Sequence, residues 1–292
     1  MQYDPKYFTW GFEIEWGDID RRLELPKELG KFEYSETDIV NKQPPFTHVS
    51  CDPQGIEPYM GGEINTVPTK TWQEQVDKIM NIKKFFEDNG NIPYASCVSH
   101  SHVHVYVPGL KDDIDGLKRL IKYIRDNQDY AVDYCGGFKE HKRMKEIKNS
   151  KMYLKYDGGR RMPEYMIENI LNLATDFPSF IKMHSAGKDG VSMGRPFRYA
   201  FNTYSMKHIG TIEFRFFRAS TDREELSSVF RFLELFMDAA LNEGPSVKEI
   251  LSCNTFKFPP FVFDFDAIKG WNETKYDKSR GQKQREFQVI ED

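Results

Sequence analysis

The sequence predicts an α+β fold: a curved antiparallel β-sheet with helices on its apolar face and a site in its concavity. Three observations carry that prediction. Four short segments alternate apolar and polar residues, and four longer ones repeat apolar residues at helical spacing. Aromatic residues reach 14% of the 292, 23 of them Phe, which suits a core of sheet and ring packing. Hydrophobic residues at 39% against charged residues at 29% give a globular balance, and the length is enough for a sizeable core.

Strands are expected at 8–16, 59–67, 96–107 and 210–217. The first helix, 71–88, follows Thr71, where T-W-Q-E has the form of a capping box. Trp72, Val76, Ile79, Lys83 and Phe86 lie along one side of it, and Asn89-Gly90 stops it. A second helix spans 113–127 with Leu117, Leu120, Ile121 and Ile124 as its stripe. A third covers 163–174, with Pro163 in its first turn. The fourth, 222–242, follows Thr221 with Glu224 three residues on, and Leu226, Val229, Phe230, Leu233, Phe236 and Met237 form its core face. Residues 18–58, rich in Pro, Gly, Asp and Lys, read as an irregular surface excursion. From 254 onward, Phe256, Phe258, Phe261, Phe263 and Phe265 fit a tail strapped across the body.

Composition excludes several classes. A net charge of −4 argues against a general nucleic-acid binder. Cys51, Cys97, Cys135 and Cys253 are widely spaced with no C-x-x-C pair, which supports neither a structural zinc site nor a disulfide framework. The first residues lack a basic region followed by an apolar one, and no stretch approaches a membrane span, so a soluble, cytoplasmic protein is expected.

The informative feature is an inversion of ordinary strand composition. Residues two apart share a strand face. Glu13 and Glu15 therefore point one way and Phe12, Ile14 and Trp16 the other. His100, His102 and His104 share a face opposite Val103, Val105 and Val107. Thr211, Glu213 and Arg215 lie in front of Ile212, Phe214 and Phe216, and Glu63 sides with Gly61 and Asn65. Any one such strand is most simply a wet face carrying its polar side to solvent. Together, however, these faces carry carboxylates and imidazoles rather than Thr, Lys, Ser or Gln, and adjacent like charges repel unless a cation lies between them. Divalent Mg²⁺ suits the carboxylates, and Mn²⁺ tolerates an imidazole better. Three alternating histidines also fit a zinc- or manganese-dependent hydrolase built on His100, His102 and His104. His48, His141, His184 and His208 stand alone, as structural or exposed residues do.

The blocks G-F-E-I-E-W at 11–16, G-G-E-I-N-T-V-P at 61–68, S-H-V-H-V at 101–105, R-Y-A-F-N at 198–202 and T-I-E-F-R at 211–215 occur in an order that resembles the amidoligase family. That family lies within the carboxylate–amine ligases that include glutamine synthetase and glutamate–cysteine ligase. The resemblance covers about residues 8–240. It implies a glutamine synthetase-like catalytic domain over 1–245, with 18–58 a long insertion and 246–292 a C-terminal extension packed on the same domain. It implies an ATP- and Mg²⁺-dependent ligase (Mn²⁺ as substitute) that joins a small-molecule or peptide carboxylate, such as a glutamyl group, to an amine through an acyl phosphate. Glu13 and Glu15 would each ligate a different metal, Glu63 joining Glu15, and His102 and Glu213 joining Glu13. His104 would lie near the nucleotide. Arg215 would face the phosphoryl group in transfer, and Arg198 would contact phosphate or substrate carboxylate with Asn202 nearby. A carboxylate is a poor electrophile, and phosphorylation activates it while cations and arginines offset the charge gathered on the phosphoryl oxygens.

Two basic stretches have further readings. A-G-K-D-G-V-S-M-G-R-P at 186–196 contains Lys188 and Arg195 but lacks P-loop spacing, so it reads as a lid that brings Arg195 over the nucleotide. The run His141-Lys142-Arg143-Met144-Lys145 reads as a solvated face. A binding protein that keeps the scaffold without turnover is the non-enzymatic alternative.

Overall fold

Alternation along the chain becomes a six-stranded sheet in which every neighbouring pair is antiparallel. The structure, a computed structural model, describes residues 2–17, 19, 23–32, 61–95, 100–136, 161–184 and 199–259. The strands are β1 (Thr9–Gly17), β2 (Gly30–Phe32), β3 (Gly61–Thr66), β4 (His100–Tyr106), β5 (Phe201–Asn202) and β6 (Ile212–Arg218), in the spatial order β2-β3-β1-β4-β6-β5. The helices are α1 (Trp72–Asp88), α2 (Ile114–Cys135), α3 (Glu164–Leu173), α4 (Phe177–His184), α5 (Arg223–Asn242) and α6 (Val247–Cys253). The fold is α+β, and among the described residues no helix is long and apolar enough to cross a membrane.

The apolar side of the strands meets α1, α2 and α5. Phe12, Ile14 and Trp16 of β1, Val103 and Val105 of β4, and Ile212 and Phe214 of β6 are each at most 2% exposed. Phe230 of α5 packs its ring 5.4 Å from Phe12 and edge-on, 5.9 Å, to Trp10. Nearly two turns further, Phe236 stacks on Phe201 at 5.3 Å and meets Phe214 edge-on. Full burial of one such side chain is worth about 1.5–3 kcal/mol. The Trp16 indole N–H donates to the Ser220 carbonyl at 3.1 Å, which ties the end of β1 to the β6–α5 connection.

Helix ends follow their local chemistry. Thr71 and Glu74 cap α1 reciprocally, and Gly90 follows its end at φ 83, a conformation a side chain would resist. The cap of α5 is Asp222 rather than Thr221: its carboxylate accepts from the amides of Glu224 and Glu225. Pro163 is the residue before α3 rather than part of its first turn. The buried face of α1 holds Gln75 and Ile82 in place of Lys83. Lys83 reaches out instead to the Thr221 carbonyl at 3.3 Å and to Glu87 at 3.7 Å.

α2 runs eight residues beyond the predicted end at 127, to Cys135. Buried Asn127 and Gln128 interrupt the apolar stripe there, yet both are satisfied. The Asn127 side chain accepts from the Val247 amide at 2.9 Å, and Gln128 pairs with both the N–H (2.9 Å) and the C=O (3.0 Å) of Met162. α6 and the segment after it lie on α2 and α5, with Phe256 and Phe258 edge-on to Phe232. Phe261, Phe263 and Phe265 lie outside the described residues. Of the 18–58 stretch, only 19 and 23–32 are described, and there 30–32 form β2 against β3 rather than irregular chain.

β6 contains a bulge. Val103 pairs with Phe214 but Ser101 pairs with Phe217, so Arg215 and Phe216 together stand opposite His102. Both members of the Phe216-Phe217 doublet are thereby buried in the core, their rings 4.3 Å apart, and Arg218 comes opposite His100.

Candidate metal centre

The polar side of the same strands collects the ionisable residues. Register sets the assembly: Glu15 lies opposite Glu63 and Glu13 opposite Asn65 across β1–β3. Glu13 also lies opposite His102 across β1–β4. Glu213 then pairs with His104 on one side and with Asn202 of β5 on the other. Strand neighbours directly opposite stand about 4.5–5.5 Å apart, so side chains from five strands converge.

Glu13 is at the centre. Its Oε2 lies 2.6 Å from His102 Nδ1 and its Oε1 lies 2.9 Å from His104 Nε2. The other nitrogen of His104, Nδ1, is 3.0 Å from the Thr211 hydroxyl. Glu213 accepts from Asn202 Nδ2 at 2.5 Å on Oε2 and pairs through Oε1 with Arg215. Arg215 in turn approaches His102 Nδ1 at 3.4 Å. His102, His104, Asn202, Glu213 and Arg215 are all buried, whereas Glu13 keeps 22% of its side chain in solvent.

Burial pushes the Glu13 carboxyl up, but hydrogen bonds and charge from His102 and His104 outweigh it and hold Glu13 well below the usual carboxylate range. Glu213 is also lowered. Burial opposes ionisation there too, and the Arg215 guanidinium first, then both imidazoles, override it against the repulsion of Glu13.

Two groups of side chains bring ligand atoms within 4.8 Å of one another: Glu13, Glu63 and His102, and Glu13, His104 and Glu213. Each offers carboxylate oxygen plus one imidazole nitrogen. That donor set fits Mn²⁺ or Zn²⁺ directly, and Mg²⁺ with water completing its shell. Arg215 competes with any cation for Glu213 Oε1.

The grouping differs from the one the family resemblance implies. His104 stands in one of the groups that could hold a cation. His102 groups with Glu63 as well as Glu13, and Glu15, on the same strand face, is in neither group. Asn202 contacts Glu213 directly. The side chain of His100, and Arg195, Arg198, Lys188, His48, His141 and the 141–145 run, lie outside the described residues. His184 is buried between the Phe180 carbonyl and the Thr203 hydroxyl, and His208 is exposed. Among the described residues, Cys135 and Cys253 are free thiols.

Three neighbours of the centre carry no sequence signature of a role. Thr211 reads as one more polar strand residue until its contact with His104 is seen. Arg218 falls out of phase in a straight strand, and the Phe216-Phe217 doublet is the signal of the bulge that restores it. Tyr94 bridges to Gly17 through paired backbone hydrogen bonds, and its ring lies where a Cβ on Gly17 would stand, at the end of the carboxylate row. A side chain at Gly17 would have to displace the exposed Tyr94 ring. No protein-family model, no curated protein and no solved structure matches this chain.

Proposed function

We propose that the protein is an ATP-dependent carboxylate–amine ligase of the amidoligase type, on a glutamine synthetase-like scaffold, forming an amide or isopeptide bond through an acyl phosphate. The observation that carries this reading is the pair of side-chain groups, spaced so that they could hold a cation, that meet at Glu13, with the Arg215 guanidinium beside them. The ordered sequence blocks that resemble the amidoligases support it. A cytoplasmic setting, where ATP is plentiful, goes with it.

Glu13, Glu63, His102, His104 and Glu213 would hold divalent ions, which offset the negative charge that gathers on a phosphoryl group in transfer. Asn202 fixes the Glu213 carboxylate by its hydrogen bond. Arg215, already in place against Glu213 and His102, supplies a fixed positive charge to the same region, and losing one such contact commonly costs about 10²–10³ in rate. Arg198 and Arg195 are assigned to phosphate or substrate carboxylate by the resemblance alone.

Purified protein incubated with ATP, Mg²⁺ and a pooled panel of amino acids and amines should release ADP in a way that depends on one carboxylate–amine pair. A specific observation favours a second reading: each cation group contains an imidazole, as zinc and manganese hydrolases use. Tightly held zinc with no ATP consumption would establish that reading instead.

A further inference from the structure

We infer that Glu13 is a bridging ligand between two divalent cations and that His104, oriented by Thr211, is a ligand of the second cation. The inference deepens the metal-dependent reading above and rests on it. The two oxygens of Glu13 are engaged separately, Oε2 by His102 and Oε1 by His104. Each oxygen thus faces the imidazole of a different three-residue group, one completed by Glu63 and the other by Glu213. A carboxylate whose two oxygens face different groups in this way would be placed to serve two cations, as in two-metal sites.

The orientation of His104 supports the assignment. An imidazole binds a cation through a nitrogen lone pair, and its other nitrogen then carries the hydrogen. In His104 the Thr211 hydroxyl, 3.0 Å from Nδ1, is placed to accept that hydrogen, which leaves Nε2 to face Glu13 and the second group. Thr211 is a positioning residue: it touches no cation and acts by fixing the ring and its tautomer. Asn202 does the corresponding work for Glu213 through Oε2. The pairing also gives the nitrogen-bearing sites a preference for Mn²⁺ over Mg²⁺.

The test titrates the metal-free full-length chain with Mn²⁺ alone, reading stoichiometry by calorimetry and ion–ion coupling by electron paramagnetic resonance. The wild type should bind one Mn²⁺ per group, spin-coupled through the shared carboxylate. His104→Ala should retain a single uncoupled ion. Thr211→Val should weaken the second ion by about 10–100-fold while leaving the first unchanged, and Thr211→Ser should restore it. Because the valine variant keeps the shape of threonine, it guards against an alanine variant that merely unfolds. Two coupled ions in His104→Ala, equal weakening of both ions in Thr211→Val, or a single ion in the wild type would overturn the inference. A coupled pair in a protein that releases no ADP with any carboxylate and amine would leave the inference standing and remove the ligase reading. A chain that binds no Mn²⁺ at all would remove both.

Discussion

Under the sheet, Phe12, Ile14 and Trp16 of β1 are at most 2% exposed against α1 and α5. One residue away on the same strand, Glu13 keeps 22% of its side chain in solvent and faces two imidazoles. The apolar face gains stability from area removed from water, which is non-directional and tolerant of small shifts. The polar face gathers four carboxylates, Glu13, Glu15, Glu63 and Glu213, that repel one another, so its geometry holds only where imidazole, guanidinium or cation charge intervenes. One face therefore governs whether the chain folds, and the other the cation binding proposed for it. Substitutions on the two should separate cleanly.

The largest effect is expected underneath. Phe230→Ala removes a ring packed on Trp10 and Phe12 and should cost about 3–5 kcal/mol. Urea unfolding should show that loss, while Mn²⁺ affinity measured at low temperature stays within about threefold, half a tenfold step in free energy. If metal binding collapses with stability, the two faces are not separable. Glu13→Gln is the reverse case. It keeps the shape but removes the charge both imidazoles face, and should weaken cation binding by at least about 100-fold, since even a partner behind a ligand costs 10–100-fold. Calorimetry reads that loss, and the unfolding midpoint should fall less than in Phe230→Ala.

A third imidazole sharpens the contrast, because among the described residues buried His184 meets a carbonyl and a hydroxyl rather than a carboxylate. Burial holds it neutral, down at about 4 from its ordinary 6.5, against the opposing hydrogen bond to the Phe180 carbonyl. As pH falls the unfolded chain takes up this proton first. Stability is therefore full above about 6.5 and drains away down to about 4, by about 3 kcal/mol in all. Urea unfolding at pH 7 and pH 4.5 should show most of that loss in the wild type and much less of it in His184→Gln. The smallest effect is expected at the solvent boundary. Lys84→Ala breaks an exposed pair with Asp88 one helical turn away and should leave the urea unfolding midpoint unchanged within error.

What the sequence made legible follows the same division. Strands with strict alternation and helices with wide apolar stripes were readable, because burial of one side imposes a period. The convergence of Glu13, Glu63, His102, His104 and Glu213 on one face followed from that period. Their partition into groups did not, because it depends on register and on which carboxylate oxygen meets which nitrogen. β2 and β5 have three and two residues and cannot display a period at all. The end of α2 was hidden by Asn127 and Gln128, whose burial is made tolerable by partners distant in sequence. Asp222 displaced Thr221 as a cap because either side chain can do that work and only backbone geometry decides between them.

The doubled phenylalanine of β6 has a consequence for how this strand can change. Since Arg215 and Phe216 both stand opposite His102, the strand holds one residue more than its partner needs. Losing Phe216 would straighten the pairing and leave Glu213, Arg215 and Arg218 looking the same way, with one ring fewer beneath. Loss of Phe217 leaves the same chain as loss of Phe216, whereas losing a residue of β6 outside Arg215, Phe216 and Phe217 would turn part of the strand over, sending guanidinium inward and benzene outward. The bulge is thus the single position where this strand tolerates a change of length without a change of phase.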